Sequence, residues 1–153
     1  MVEIATADLS DPRVVDLIAF HQREMLAASP PGTSFALDLS GLTDPAIVVL
    51  AAWDGERCVA IGALKKLGAD WGELKSMRTR PDCVRRGIAT RMLDALITLA
   101  RQRKMVRLSL ETGSGNAFAP ALALYSKRGF VNGPAFADYR PTEFNQCLHL
   151  DLE

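Results

Sequence analysis

The sequence predicts one α/β domain built on a mixed sheet. Stretches in which polar and apolar residues alternate are interleaved with stretches in which apolar residues recur every three or four positions, the signatures of strand and helix. The resulting order is β-α-β-β-β-α-β-α-β-β. No repeat, low-complexity tract or linker interrupts the chain, so residues 1–153 are expected to form a single domain, long enough for one hydrophobic core with helices packed on a sheet.

Val2 to Thr6 alternates and reads as a short strand. Asp11-Pro12 starts a helix, with a side-chain acceptor at the cap followed by a residue whose φ is already set. Val14, Ile18, His21 and Met25 mark its apolar face, and Ser29-Pro30-Pro31-Gly32 ends it. Ser34 to Pro45 is weakly patterned, a loop or a short helix. Ala46 to Trp53 reads as a buried strand, Asp54-Gly55 as a hairpin turn, and Arg57 to Leu64 as the returning partner. Gly68 to Asp70 turns the chain into a further strand, Trp71 to Thr79. Beyond a loop containing Pro81, the spacing of Ile88, Met92 and Leu96, with Ala89, Leu93 and Ala100 beside them, predicts a helix from Ile88 to Arg103. Val106, Leu108 and Leu110 alternate as a strand. Phe118 to Arg128 is a short helix closed by Gly129, where a positive φ is wanted. Cys147 to Leu152 is the last strand.

Composition narrows the function. Lys plus Arg and Asp plus Glu both number 18, without the basic excess of a nucleic-acid-binding domain. No apolar stretch is long enough to span a bilayer, and Met1 to Thr6 lacks the basic flank and apolar run of a signal peptide. Cys58, Cys83 and Cys147 are too scattered for a disulfide framework or zinc site. A cytoplasmic protein with no metal, membrane or nucleic-acid partner is expected.

One segment carries chemistry. The strand Gly72 to Thr79 leads through Arg80-Pro81-Asp82-Cys83-Val84 to Arg85-Arg86-Gly87-Ile88-Ala89, which opens a helix. A helix start offers free N–H groups and the positive end of the dipole. Gly87 and Ala89 let a ligand approach the backbone, and Arg85 and Arg86 add positive charge, so the segment suits a pyrophosphate. Neither G-x-G-x-x-G nor the G-x-x-x-x-G-K-[ST] phosphate loop occurs. A tight turn with a solvated arginine pair is the plainer alternative.

The segment resembles the acetyl-CoA-binding motif Q/R-x-x-G-x-G/A of the GCN5-related N-acetyltransferases (GNAT). Gly87 and Ala89 fill the small positions, and Val84 departs from the usual Gln or Arg. Ala123-Leu124-Tyr125-Ser126-Lys127-Arg128-Gly129-Phe130 resembles the family's A-L-Y-x-K-x-G-F ending. Glu73 to Thr79 and Leu110 to Ser114 are similar to a bacterial subgroup of small YsnE-like acetyltransferases. The resemblance covers nearly the whole chain. It implies a mixed, mostly antiparallel central sheet flanked by helices and splayed between the fourth and fifth strands.

It also implies roles. Acetyl-CoA is the cosubstrate, held by Met77, Arg78 and Thr79 along the pantetheine arm and by Val84, Arg85, Arg86, Gly87, Ile88, Ala89 and Thr90 at the pyrophosphate, with Asn116 and Lys127 as further contacts. A backbone N–H near Met77 faces the oxyanion. Glu73 is the candidate general base, against the alternative of a solvated strand-end carboxylate paired with Lys75 or Lys65. Tyr125 is the candidate general acid, against a purely packing role. His21 and Tyr139, the latter within Asp138-Tyr139-Arg140, are candidate acceptor contacts. Cys83, although followed by arginines, is not expected to be a nucleophile, because the family transfers the acyl group directly. Lys75 and Arg78 count to opposite faces of their strand. The acceptor is a small-molecule amine or a protein amino group, and the resemblance admits a homodimer. Two other readings remain at this point, a non-catalytic acyl-CoA sensor and an unrelated nucleotide-binding α/β protein. Turnover separates the first, and stabilisation by ATP rather than CoA the second.

Overall fold

The computed structural model describes residues 2–34 and 37–152. In chain order the elements are β1 (Val2–Thr6), α1 (Pro12–Ala28), α2 (Leu39–Leu42), β2 (Ile47–Asp54), β3 (Arg57–Gly68), β4 (Trp71–Thr79), α3 (Ile88–Gln102), β5 (Arg107–Thr112), α4 (Ala119–Lys127), β6 (Val131–Gly133) and β7 (Gln146–Asp151), with 3-10 turns at Pro81–Cys83 and Asn116–Phe118. The expected order holds, with α2 added inside the weakly patterned Ser34–Pro45 segment. Phe35 and Ala36 of that segment, like Met1 and Glu153, lie outside the described residues.

Local chemistry fixes the element ends. Asp11 caps α1 by accepting from the Arg13 N–H at 2.9 Å, and Pro12 follows it. α4 ends at Lys127, and Gly129 takes the expected positive φ of 96°. The β2–β3 turn sits one residue later than read from the sequence. Asp54 pairs with Arg57, and Gly55-Glu56 is the loop. Gly55 has φ 62° and Glu56 is not in the positive region, a pattern that suits a turn with glycine in first place.

The seven strands form one sheet in the order β1-β2-β3-β4-β5-β7-β6. β4 and β5 are parallel and the other neighbours antiparallel. Alternation along the strands supplies two cores. Leu50, Ala52, Ala60, Leu64, Leu74, Leu108, Leu110 and Leu148 face α3, whose Met92, Leu93 and Leu96 are buried against them. Val49, Ala51, Ile61 and Ala63 face α1, which buries Val14, Leu17 and Ile18. Each Val, Leu, Ile or Met among them contributes about 1.5–3 kcal/mol by leaving water. Among the described residues no helix is long and apolar enough to cross a membrane.

Two departures from regular pairing place the site. β4 and β5 pair only where Trp71–Glu73 lie beside Arg107–Ser109. β4 then continues to Thr79 along β3, and β5 to Thr112 along β7. The two strands therefore diverge and leave a gap in the sheet. Within β4, the register steps from Ala63↔Lys75 to Ile61↔Arg78, which inserts one extra residue in β4. The bulge is at Ser76, whose φ is 56°. A bulge resets side-chain parity beyond it.

Candidate active site

The bulge corrects the parity read from the sequence. Glu73 and Lys75 pair with Lys65 and Ala63, so both point to the α1 side. Simple counting sends Arg78 to the other face. With the extra residue it pairs with Ile61, which belongs to the α1 core, and so joins Glu73 and Lys75. Met77 goes the opposite way and packs under α3. That packing uses Gly62, where an added Cβ would lie 2.8 Å from both Met77 Sδ and Leu96 Cδ1.

A cavity of about 330 Å³ occupies the gap and reaches both faces. Its lining includes Glu73 to Arg78 of β4, His21 and Glu24 of α1, Leu110 to Gly113, Tyr125 and Tyr139. This is the size range of a small-ligand site.

Glu73 is 2% exposed, so it is not the solvated carboxylate considered from the sequence, although the pairing with Lys75 that went with that alternative is present. Its Oε2 accepts from Lys75 Nζ at 3.1 Å and from the Tyr139 hydroxyl at 2.5 Å, and Lys75 Nζ also donates to the Tyr139 oxygen at 2.7 Å. Oε1 has no partner among the described residues. Burial and the neighbouring Glu73 charge push the Tyr139 phenol well above its ordinary range, so it stays protonated as a donor. Burial also raises the Glu111 carboxyl, which lines the same cavity.

Tyr139 arrives on the loop between β6 and β7, and a buried polar chain holds that loop. His149 Nε2 lies 2.8 Å from the Pro134 carbonyl, which can only accept. Nε2 therefore donates, and in the neutral ring Nδ1 accepts from Ser109 Oγ at 2.7 Å, which in turn accepts from Trp71 Nε1 at 2.9 Å. Phe136 packs edgewise on His149 and Tyr139, with centroids 5.6 and 5.1 Å away. None of Trp71, Ser109, Phe136 or His149 has a motif in the sequence. The alternation of β5 and β7 puts Ser109 opposite His149, but the loop that closes over them has no such pattern.

At the other end, Arg78 Nε donates to His21 Nδ1 at 2.9 Å. Burial, and then the Arg78 charge, lower the His21 pKa to about 3. The folded state thus holds His21 neutral where an unfolded chain protonates it. Stability is present above the ordinary value of 6.5 and is lost as pH falls from there towards 3, by up to about 1.4 kcal/mol per unit for this one group. Thermal melts between pH 4 and 7 should show a shallower loss for His21→Gln, which keeps an acceptor for Arg78 but does not titrate. Equal slopes would remove His21 as the cause.

Tyr125 is buried on the α3 side of the sheet, with its ring 5.7 Å from Phe130 and the residue lining the cavity. Burial pushes its phenol up to about 12. No hydrogen bond to its hydroxyl occurs among the described residues.

The other sequence candidates lie along the rim. Gly87, with φ 76°, precedes α3, and Arg85 has φ 65°. The first carbonyl used within α3 is that of Gly87, bonded by Arg91 N–H, so the earlier N–H groups of that turn have no helical acceptor. A Cβ on Gly87 would meet nothing within 4 Å, leaving space above the backbone. Arg86 pairs with Asp54 at 3.0 Å. Val84, Arg85, Lys127 and Asn116 are exposed, Ile88 is buried, and Ala89 and Thr90 are half-buried. Asn116 opens the 3-10 turn before α4 and is not part of the cavity lining. Cys83 is buried, with Sγ 3.5 Å from Arg57 Nη1. Among the described residues no group of His, Cys, Asp and Glu is arranged to hold a metal.

Known proteins are similar to this chain in sequence and fold. The acetyltransferase (GNAT) family model matches residues 14–130. The chain is 44% identical to the uncharacterized N-acetyltransferase YedL of Escherichia coli over 99% of its length and 96% of that protein. It is 42% identical to the uncharacterized N-acetyltransferase YsnE of Bacillus subtilis over 90% of its length and 91% of that protein. A Klebsiella pneumoniae protein proposed to be an acyl-CoA N-acyltransferase superposes with a TM-score of 0.84 at 28% identity, covering 100% of this chain and 99% of that one. The family match runs through the β4–α3 segment and the end of α4, and this chain belongs to the GNAT family of acyl-CoA-dependent N-acetyltransferases.

Proposed function

We propose that the gap between β4 and β5 is where the two substrates meet, acetyl-CoA from the α3 side and an amine from the α1 side. The observation that carries this reading is that a single opening in the sheet is lined by Glu73, Lys75 and Arg78 on the α1 side and by Tyr125 on the α3 side. The free N–H groups before and at the start of α3, with two left-handed residues and open space above Gly87, suit the pyrophosphate. The β4 edge from Met77 to Thr79, unpaired on the β5 side, suits the pantetheine amides as an added strand.

In this reading the amine nitrogen attacks the thioester carbonyl, and Glu73 takes its proton directly or through water. The oxyanion forms near the N–H groups around the bulge. The C–S bond then breaks and Tyr125 gives its phenolic proton to the departing thiolate. Lys75 and Tyr139 hold Glu73 in place by donating to one oxygen and leaving the other towards the cavity. The acceptor is a small-molecule amine or a protein amino group, and the setting is the cytoplasm.

Thiol release from acetyl-CoA in the presence of an amine panel tests the reading. Acetyl-CoA that binds but is never turned over would overturn it. Gly87→Ala should cost about 1 kcal/mol of stability from its left-handed backbone alone and weaken CoA binding, measured by calorimetry. Unchanged affinity would remove this turn as the pyrophosphate site.

A further inference from the structure

We propose that the acceptor is an amine that also carries a carboxylate, of the amino-acid class, and that Arg78 is the specificity-determining residue that binds that carboxylate. The proposal rests on the N-acetyltransferase reading and adds the chemistry of its second substrate.

Arg78 is a half-buried cation on the α1 face of β4 that lines the cavity. Its Nε proton goes to His21, a neutral partner, and no carboxylate lies within ion-pair distance of it among the described residues. The Nη groups have no hydrogen-bond partner there either. Phe20 supports the guanidinium, with Cζ 5.9 Å from the ring centroid. Glu24, further along α1, acts on Arg78 only from beyond ion-pair distance. A guanidinium stays charged and presents a planar fork that matches a carboxylate. A cation partly removed from water without an anion is costly unless a ligand supplies one. Two more groups at this cavity lack partners among the described residues, the buried hydroxyls of Ser29 and Ser76.

The other end of the cavity carries an excess of carboxylates. Glu73 and Glu111 line it with one cation, Lys75, between them. An ammonium suits that end and a carboxylate the Arg78 end. Glu73 and Arg78 pair with Lys65 and Ile61, four residues apart on β3. That separates their backbones by about 13 Å along the strand, which leaves room for a small amino acid between the two side chains. Tethering by Arg78 would leave the amine nearest to Glu73.

The test compares acceptors that differ only in the carboxylate. Glycine, β-alanine, γ-aminobutyrate and the common L-amino acids would each be assayed against the matching carboxamide by thiol release, and acetyl-CoA binding measured by calorimetry on the same protein. The expected result is a kcat/KM for at least one acid about 10- to 100-fold above its amide, the range of a charge-assisted pair. In R78M that ratio should fall to about one, whereas a general loss of activity would leave it unmoved. Carboxamides turned over as well as their acids in the unaltered protein would overturn the proposal without touching the N-acetyltransferase reading. A raised KM for acetyl-CoA in R78M with the acid-to-amide ratio kept would overturn it too, by assigning Arg78 to the other substrate. Failure of acetyl-CoA to bind at all would instead sink the reading on which it rests.

Discussion

Glu73→Gln is expected to lower kcat by about 10²- to 10⁴-fold, the usual contribution of a general base, with acetyl-CoA affinity near that of the unaltered protein. The carboxylate is buried and its two donors act on the same oxygen, which leaves one oxygen for the incoming amine. Gln keeps the shape and removes the proton acceptor. Lys75 and Tyr139 would then face an amide in place of a carboxylate, so a thermal melt must accompany the kinetics. A folded Glu73→Gln protein with unchanged kcat would show that Glu73 only organises the loop that carries Tyr139.

Tyr125→Phe should cost about 10²-fold in kcat and little in stability. The ring contact with Phe130 survives the substitution, and no hydrogen bond among the described residues is lost. The phenol holds its proton up to about pH 12, so it is a donor over the whole range in which amines are acetylated. The same shift has a stability consequence. The folded state binds the proton more tightly than an unfolded chain, so stability is full below pH 10 and declines between 10 and 12. Acyl donors with a more acidic leaving thiol need less protonation, so the defect of Tyr125→Phe should shrink with them. A defect of constant size across donors would refute the acid role.

Much of the fold was legible because local chemistry repeats it. Val2–Thr6 and Trp71–Thr79 match the expected strands end to end, one alternating and the other bounded by turn residues. The Asp11-Pro12 start of α1 and the Gly129 ending after α4 are set by single residues whose backbone preferences are strong. The faces of β4 were not legible. Ser76 adopts a positive φ that a serine does not advertise, and one extra residue there reverses the side to which Arg78 points. The Glu73 cluster was visible only in fragments. Lys75 is a neighbour on the strand, whereas Tyr139 reaches Glu73 from 66 residues away on a loop held by the Trp71, Ser109 and His149 chain. The helix-start segment was readable because its chemistry depends on backbone conformation, which Gly87 signals directly.

The divergence of β4 from β5 makes the sheet a wall with a window. If donor and acceptor approach from opposite sides, each product leaves by the side its parent entered, and neither has to wait for the other. Initial-rate patterns should then be those of a sequential mechanism with little enforced order. A bisubstrate inhibitor, with the amine joined to the CoA sulfur through an acetyl bridge, should occupy both sides of the sheet through that gap and compete with both substrates at once.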